Sequence, residues 1–181
     1  MSPALSPVTR FYTYTAIAAI GVLALGFVCF AAGLRVNTTR SIPVGLYRII
    51  DEPVEKGAYV VFCPPKLDVI DEARARGYIP AGFCPGDYGF MMKRVLATGG
   101  DTVISADEGV SVNGELLPLS APLATDKAGR AMPRYPFSDY TLGNSELLLM
   151  SDVSGTSFDG RYFGPVSLSQ VRGVLRPVII F

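Results

Sequence analysis

Histidine and tryptophan are missing from this chain of 181 residues, and cysteine occurs only as Cys29, Cys63 and Cys84. Without an imidazole no Ser-His-Asp triad or Cys-His pair can be assembled, and the commonest metal ligand is gone. The cysteines alone do not make a structural zinc site, so neither metal nor cofactor is expected. Sixteen basic residues offset sixteen acidic ones, which leaves no electrostatic footprint for nucleic acid. Two familiar settings for a reactive serine, the Gly-x-Ser-x-Gly elbow and the Ser-x-x-Lys motif, are absent too. A hydrolytic serine here needs a lysine from a distant part of the chain as its base.

What the chain does have is one long uncharged apolar run, Phe11 to Leu34. At ~1.5 Å per helical residue, this run exceeds a ~30 Å hydrocarbon core, so a single transmembrane helix is expected over about 11–34. A cleaved secretory signal is the alternative, suggested by the small residues of "FAAG", but a signal core runs only ~7 to 15 residues. Val28 before Cys29 is too large for lipoprotein processing, and the thiol is expected to pack as an apolar group. Arg10 on one flank and Arg35 and Arg40 on the other leave the orientation unmarked. The chain thus divides into an anchor and connector, 1–40, and one domain, 41–181, large enough for its own core.

That domain reads as mostly antiparallel β. "GLYRII", "AYVVFC", "YGFMMKRVLAT", "DTVISA", "GVSV", "ELLLMS" and "GVLRPVIIF" are β-branched or aromatic runs between Gly, Pro and Asp turns. Gly99-Gly100 marks a turn between strands, and Asn113-Gly114 carries a hairpin signal. A short helix is inserted at Leu67 to Gly77, with Asp68 as candidate N-cap and Gly77 as stop. Prolines and glycines punctuate 113–144 as a long irregular connection, which fits either a cover for a substrate or a plain surface excursion. Cys63 and Cys84 flank the inserted helix; they are either two buried thiols or, outside the cytoplasm, a disulfide worth ~3 kcal/mol.

For the chemistry, Lys93 is the candidate base. It lies on a predicted strand with Phe90, Met91 and Met92 before it and Val95 and Leu96 after it. An amine titrates near ~10.4 in water, and burial disfavours its charged form, so a buried Lys93 can be neutral enough to take a serine proton. Taken singly, Lys93 also fits a surface lysine and Ser41 a turn residue.

Taken together, "SIPVGLY" after the apolar run, "KRVLATGGD" some way on and "SDVSGTSFDGRYFGPV" near the C-terminus resemble the ordered boxes of type I signal peptidases. The resemblance spans nearly all of 37–166. It implies a membrane-anchored serine endopeptidase with a Ser-Lys dyad on a β-rich fold. "NTTRSIPVGLYR", "FCPP", "GFCPGDYGFMMKR" and "SFDGRYFGP" are most similar to the TraF-type conjugative-transfer peptidases. By that resemblance Ser41 is the nucleophile and Lys93 the general base. Thr39 and the Ser41 backbone N–H form the oxyanion hole, and Ser157 holds the lysine amine. Asp159 and Arg161 match an ion pair with Arg94 nearby, and Asp152 an earlier acidic position; all can be structural.

The resemblance further implies a single pass through a bacterial inner membrane with the domain in the periplasm. It implies a pilin precursor as substrate, other conjugation or type IV secretion components as partners, and end-to-end joining of the pilin as an outcome. Asp159 then either helps the acceptor amine or belongs to a structural ion pair. "SDVSG" stands where housekeeping signal peptidases begin Gly-Asp-Asn, and Ile42-Pro43 follows the serine where they have Met. The first departure argues against a housekeeping leader peptidase, and between Lys93 and the last box there is no room for the large second domain of some family members, which implies a narrow substrate range. The alternative is a non-catalytic, membrane-tethered β domain that assists assembly of a secretion or conjugation apparatus.

Overall fold

The computed structural model describes residues 6–181, so the first five residues of the expected 1–40 segment lie outside it. The chain divides into two compact units, one ending at Arg35 and the other spanning Val36–Phe181.

Helix α1, Pro7–Ala31, makes up most of the first unit. It begins before Phe11 because Pro7 suits the first helical turn and the Ser6 hydroxyl accepts from the Thr9 N–H at 3.2 Å. It is long and apolar enough to cross a membrane. Side chains such as Leu23 and Phe27 are exposed along it, a surface suited to lipid and unsuited to water.

The strands run in chain order β1, Leu34–Asn37, β2, Gly45–Ile50, and β3, Tyr59–Phe62. Helix α2, Asp68–Ala75, and β4, Ala81–Cys84, follow, then β5, Met91–Ala97, and β6, Thr102–Ser105. After β7, Val110–Val112, β8, Glu115–Leu116, and β9, Tyr140–Thr141, the chain forms β10, Glu146–Met150. Short helix α3, Gly160–Phe163, β11, Val166–Ser167, and the long β12, Val171–Ile180, complete it.

Two sheets result. One is seven-stranded in the order β1-β2-β12-β3-β5-β10-β11; the other is four-stranded in the order β8-β7-β6-β9. The turn at Gly99-Gly100 therefore carries the chain between sheets and does not close a hairpin. Asn113 and Gly114, at φ of 52° and 83°, do close one between β7 and β8. β12 inserts between β2 and β3, and its ladder to β2 shifts register between Pro177 and Ile179, where proline has no N–H to give. Gly45 is required at the start of β2, because any Cβ there would collide with the Ile179 carbonyl.

The inserted helix differs from expectation at its start. Leu67 is the N-cap and makes no side-chain cap bond, while Asp68 and Asp71 lie in the first turn, where the helix dipole favours carboxylates. Its buried Ile70 and Ala73 join Val60, Phe62, Tyr88, Val95, Leu149 and Phe163 in the main core. A second cluster with Val103, Val112, Phe137 and Leu148 supports the small sheet. Ile42, Tyr47, Val61 and Leu175 form a third.

Cys63 and Cys84 are joined in a disulfide, Cα to Cα 5.4 Å, that closes the segment holding α2. Replacing both by serine should lower unfolding stability by about 3 kcal/mol, because the unfolded chain regains the freedom of that loop. Urea denaturation of the two proteins measures this; equal midpoints would show that the bond contributes nothing.

Candidate active site

Ser41 sits in the loop between β1 and β2 and is half-buried. Its hydroxyl lies 2.5 Å from Thr39 Oγ1. Tyr47 donates to the Pro43 carbonyl at 2.6 Å, and the buried Ser151 hydroxyl donates to the Arg40 carbonyl at 3.4 Å. Ile42, fully buried, pins the loop to the third apolar cluster.

Lys93 comes from the middle of β5, where exposure alternates along the strand. Met91, Lys93, Val95 and Ala97 are buried, whereas Met92, Arg94 and Leu96 are half-buried. The period of two thus places Lys93 on the core face. It is only 4% exposed, and its Nζ donates to Ser157 Oγ at 2.7 Å. Burial pulls its pKa down from 10.5 to about 8; the nearby Asp159 charge raises it and Arg161 lowers it. An amine in that state can accept a proton from a hydroxyl near neutral pH.

Asp159 and Arg161 frame this lysine from the end of the 151–159 loop. Asp159 is 0% exposed and Arg161 2%. Arg161 donates through Nε to Asp159 Oδ1 at 2.8 Å and through Nη2 to Oδ2 at 3.0 Å. Its Nη1 reaches the carbonyls of Leu119, Ala121 and Gly155 at 2.9, 3.1 and 3.1 Å. Asp159 also accepts from the Ser151 N–H at 3.1 Å. The carboxylate therefore has internal partners on both oxygens, and the ion pair with Arg161 is present.

Arg94 departs from expectation. As Lys93's neighbour on a strand it points to the opposite face, and there it donates to Asp152 Oδ2 at 2.7 Å and to the Gly57 carbonyl at 2.9 Å. Tyr59 donates to the same Asp152 oxygen at 3.0 Å. Arg94 and Asp152 are thus a second ion pair, separate from Asp159 and Arg161.

Thr39, Ser41, Lys93 and Ser157 all line one cleft of about 760 Å³. Its walls include Phe90, Met92, Met132 and Phe158, together with Thr125 to Ala128. The irregular connection therefore does reach the site. It is tied down by Arg76, which donates to the Ala131 carbonyl at 2.6 Å, and by Tyr78, which donates to Asp126. Among the described residues no group of three or more His, Cys, Asp and Glu side chains could hold a metal.

A family model described as "Signal peptidase, peptidase S26" matches residues 8–180. The chain belongs to the signal peptidase S26 family. The plasmid transfer protein TraF of Escherichia coli is 67% identical over 163 residues, 90% of this chain and 92% of that protein. A second Escherichia coli plasmid transfer protein TraF is 59% identical over 170 residues, 94% and 96% of the two. The conjugal transfer protein TraF of Agrobacterium fabrum is 37% identical over 176 residues, 96% of each. Among solved structures, a signal peptidase I from Enterococcus faecalis V583 aligns with a TM-score of 0.40 at 20% identity, over 70% of this chain and 99% of that one.

Two features of this S26 peptidase escaped the sequence. Asn37 is buried at 4% exposure and bonds to the Ser41 loop; its place in "NTTRS" was the available signal. Tyr59, on β3, holds Asp152 and carries no sequence signal of its own.

The buried ion pair generates a prediction. Arg161→Met leaves Asp159 in the core without its ion-pair partner, which should cost about 3 to 5 kcal/mol. Chemical denaturation of the variant checks this, and a midpoint equal to that of the parent would contradict it.

Proposed function

We propose that this peptidase is a Ser-Lys endopeptidase of the inner membrane that processes a pilin precursor for conjugative transfer, with its catalytic domain on the periplasmic side. The observation that carries it is the buried amine of Lys93, held by Ser157 and pulled to about 8, facing the same cleft as Ser41. The conjugative role is drawn from relatives described as plasmid or conjugal transfer proteins. The membrane role rests on α1 and the periplasmic side on the disulfide, which persists in oxidising compartments.

In this mechanism neutral Lys93 takes the Ser41 proton as Oγ attacks the scissile carbonyl. The Ser41 N–H and the Thr39 hydroxyl receive the oxyanion. Ammonium Lys93 returns the proton to the leaving amine, and an acyl-enzyme remains on Ser41. Water or a substrate amine then resolves it, and the two products of one segment differ by one water, ~18 Da.

Ser41→Ala and Lys93→Ala should each lower precursor processing by ~10^4-fold or more without unfolding the domain, and the double variant should be little worse than either. Lys93→Arg should be equally inactive, since guanidinium keeps its proton. Because the base form of Lys93 is the deprotonated one, kcat/KM should rise with pH through about 8. Processing assays with mass detection of product test all of these. A folded Ser41→Ala or Lys93→Ala protein that processes near the parent rate would overturn the dyad.

A further inference from the structure

Asn37 grips the chain on both sides of Ser41. It ends β1, and its Nδ2 lies 2.7, 2.9 and 3.1 Å from the carbonyls of Thr39, Ile42 and Pro43. Its Oδ1 accepts from the Thr39 N–H at 3.2 Å and from Thr39 Oγ1 at 3.0 Å. Carbonyls on one side demand a donor and the backbone N–H on the other demands an acceptor, so the amide has one orientation.

That orientation decides where the hydroxyl protons go. Asn37 Oδ1 can only accept, and Thr39 has a single hydroxyl proton, so Thr39 donates to Asn37. Thr39 Oγ1, 2.5 Å from Ser41 Oγ, then accepts from Ser41. The resting chain runs from the Ser41 O–H through Thr39 Oγ1 to Asn37 Oδ1. When an oxyanion develops on the attacked carbonyl, the Thr39 proton must turn from Asn37 toward it. The Thr39 N–H stays on Oδ1 through this rotation, and the Nδ2 bonds keep the loop in place. The donor is thus held within a single hydroxyl rotation of the developing charge, which keeps the reorganisation at the moment of reaction small.

We infer that Asn37 is a positioning residue for acylation: it holds the Ser41 loop closed and stores the Thr39 hydroxyl proton until the oxyanion needs it. This rests on Ser41 being the nucleophile.

The test is a double-variant cycle on the full-length protein in detergent, with a precursor peptide as substrate and kcat and KM read separately. Asn37→Ala should lower kcat by on the order of 10-fold or more, below the 10²- to 10³-fold of a direct oxyanion donor, and leave KM unchanged. Thr39→Val should also lower kcat at constant KM. The double variant should lose less than the product of the two single losses, because both remove the stored Thr39 proton. Losses that multiply, or an Asn37→Ala protein with parent kcat, would overturn the inference. A thermal unfolding scan shows whether Asn37→Ala is folded. If it is not, Asn37→Ser, whose hydroxyl keeps a contact to the Thr39 N–H, carries the same cycle with the same expected outcome. Ser41→Ala in the same assay separates the two levels. Retained activity there sinks the nucleophile and this inference together, whereas an inactive Ser41→Ala beside multiplying losses sinks the Asn37 inference alone.

Discussion

Removing the Lys93 amine from water is the constraint that the rest of the domain serves. An ammonium on the core face of a central strand has lost its hydration and has Ser157 as its hydrogen-bond partner. The system relieves that cost by letting the group shed its proton near neutral pH. Met91 and Val95, which flank Lys93 on the buried face of its strand, belong with Phe158 to the main apolar core. Stability and basicity therefore have one physical source.

Charge balance around the lysine follows the same logic. Asp159 alone would favour the ammonium; Arg161 opposes it. They pair bidentately, and the Arg161 Nη1 group is held by backbone carbonyls. Asp159 is half of a buried ion pair and also holds the Ser151 N–H, while the Ser151 hydroxyl reaches the Arg40 carbonyl beside Ser41.

Much of this was legible in the linear chain. The uncharged run at 11–34, the β-branched and aromatic runs after it and the apolar neighbours of Lys93 already point to one long apolar helix and a β domain that buries a lysine. What could not be read depends on distant partners. β12 slots between β2 and β3, and β5 and β6 enter different sheets, although no local signal separates them. Arg94 adjoins Lys93 in sequence and the resemblance sets it near Asp159 and Arg161, yet strand parity sends it to the other face and to Asp152. Asp68 has cap chemistry, but the chain enters α2 one residue earlier. Asn37 matters through contacts to Thr39, Ile42 and Pro43 that only a closed loop creates.

The most direct test of the central claim is an NMR titration of the Lys93 side chain in the full-length protein, following the carbon next to Nζ across the alkaline range. The account predicts a midpoint near 8, set by burial. A midpoint at the ordinary lysine value of ~10.4 would show a solvated ammonium and contradict it.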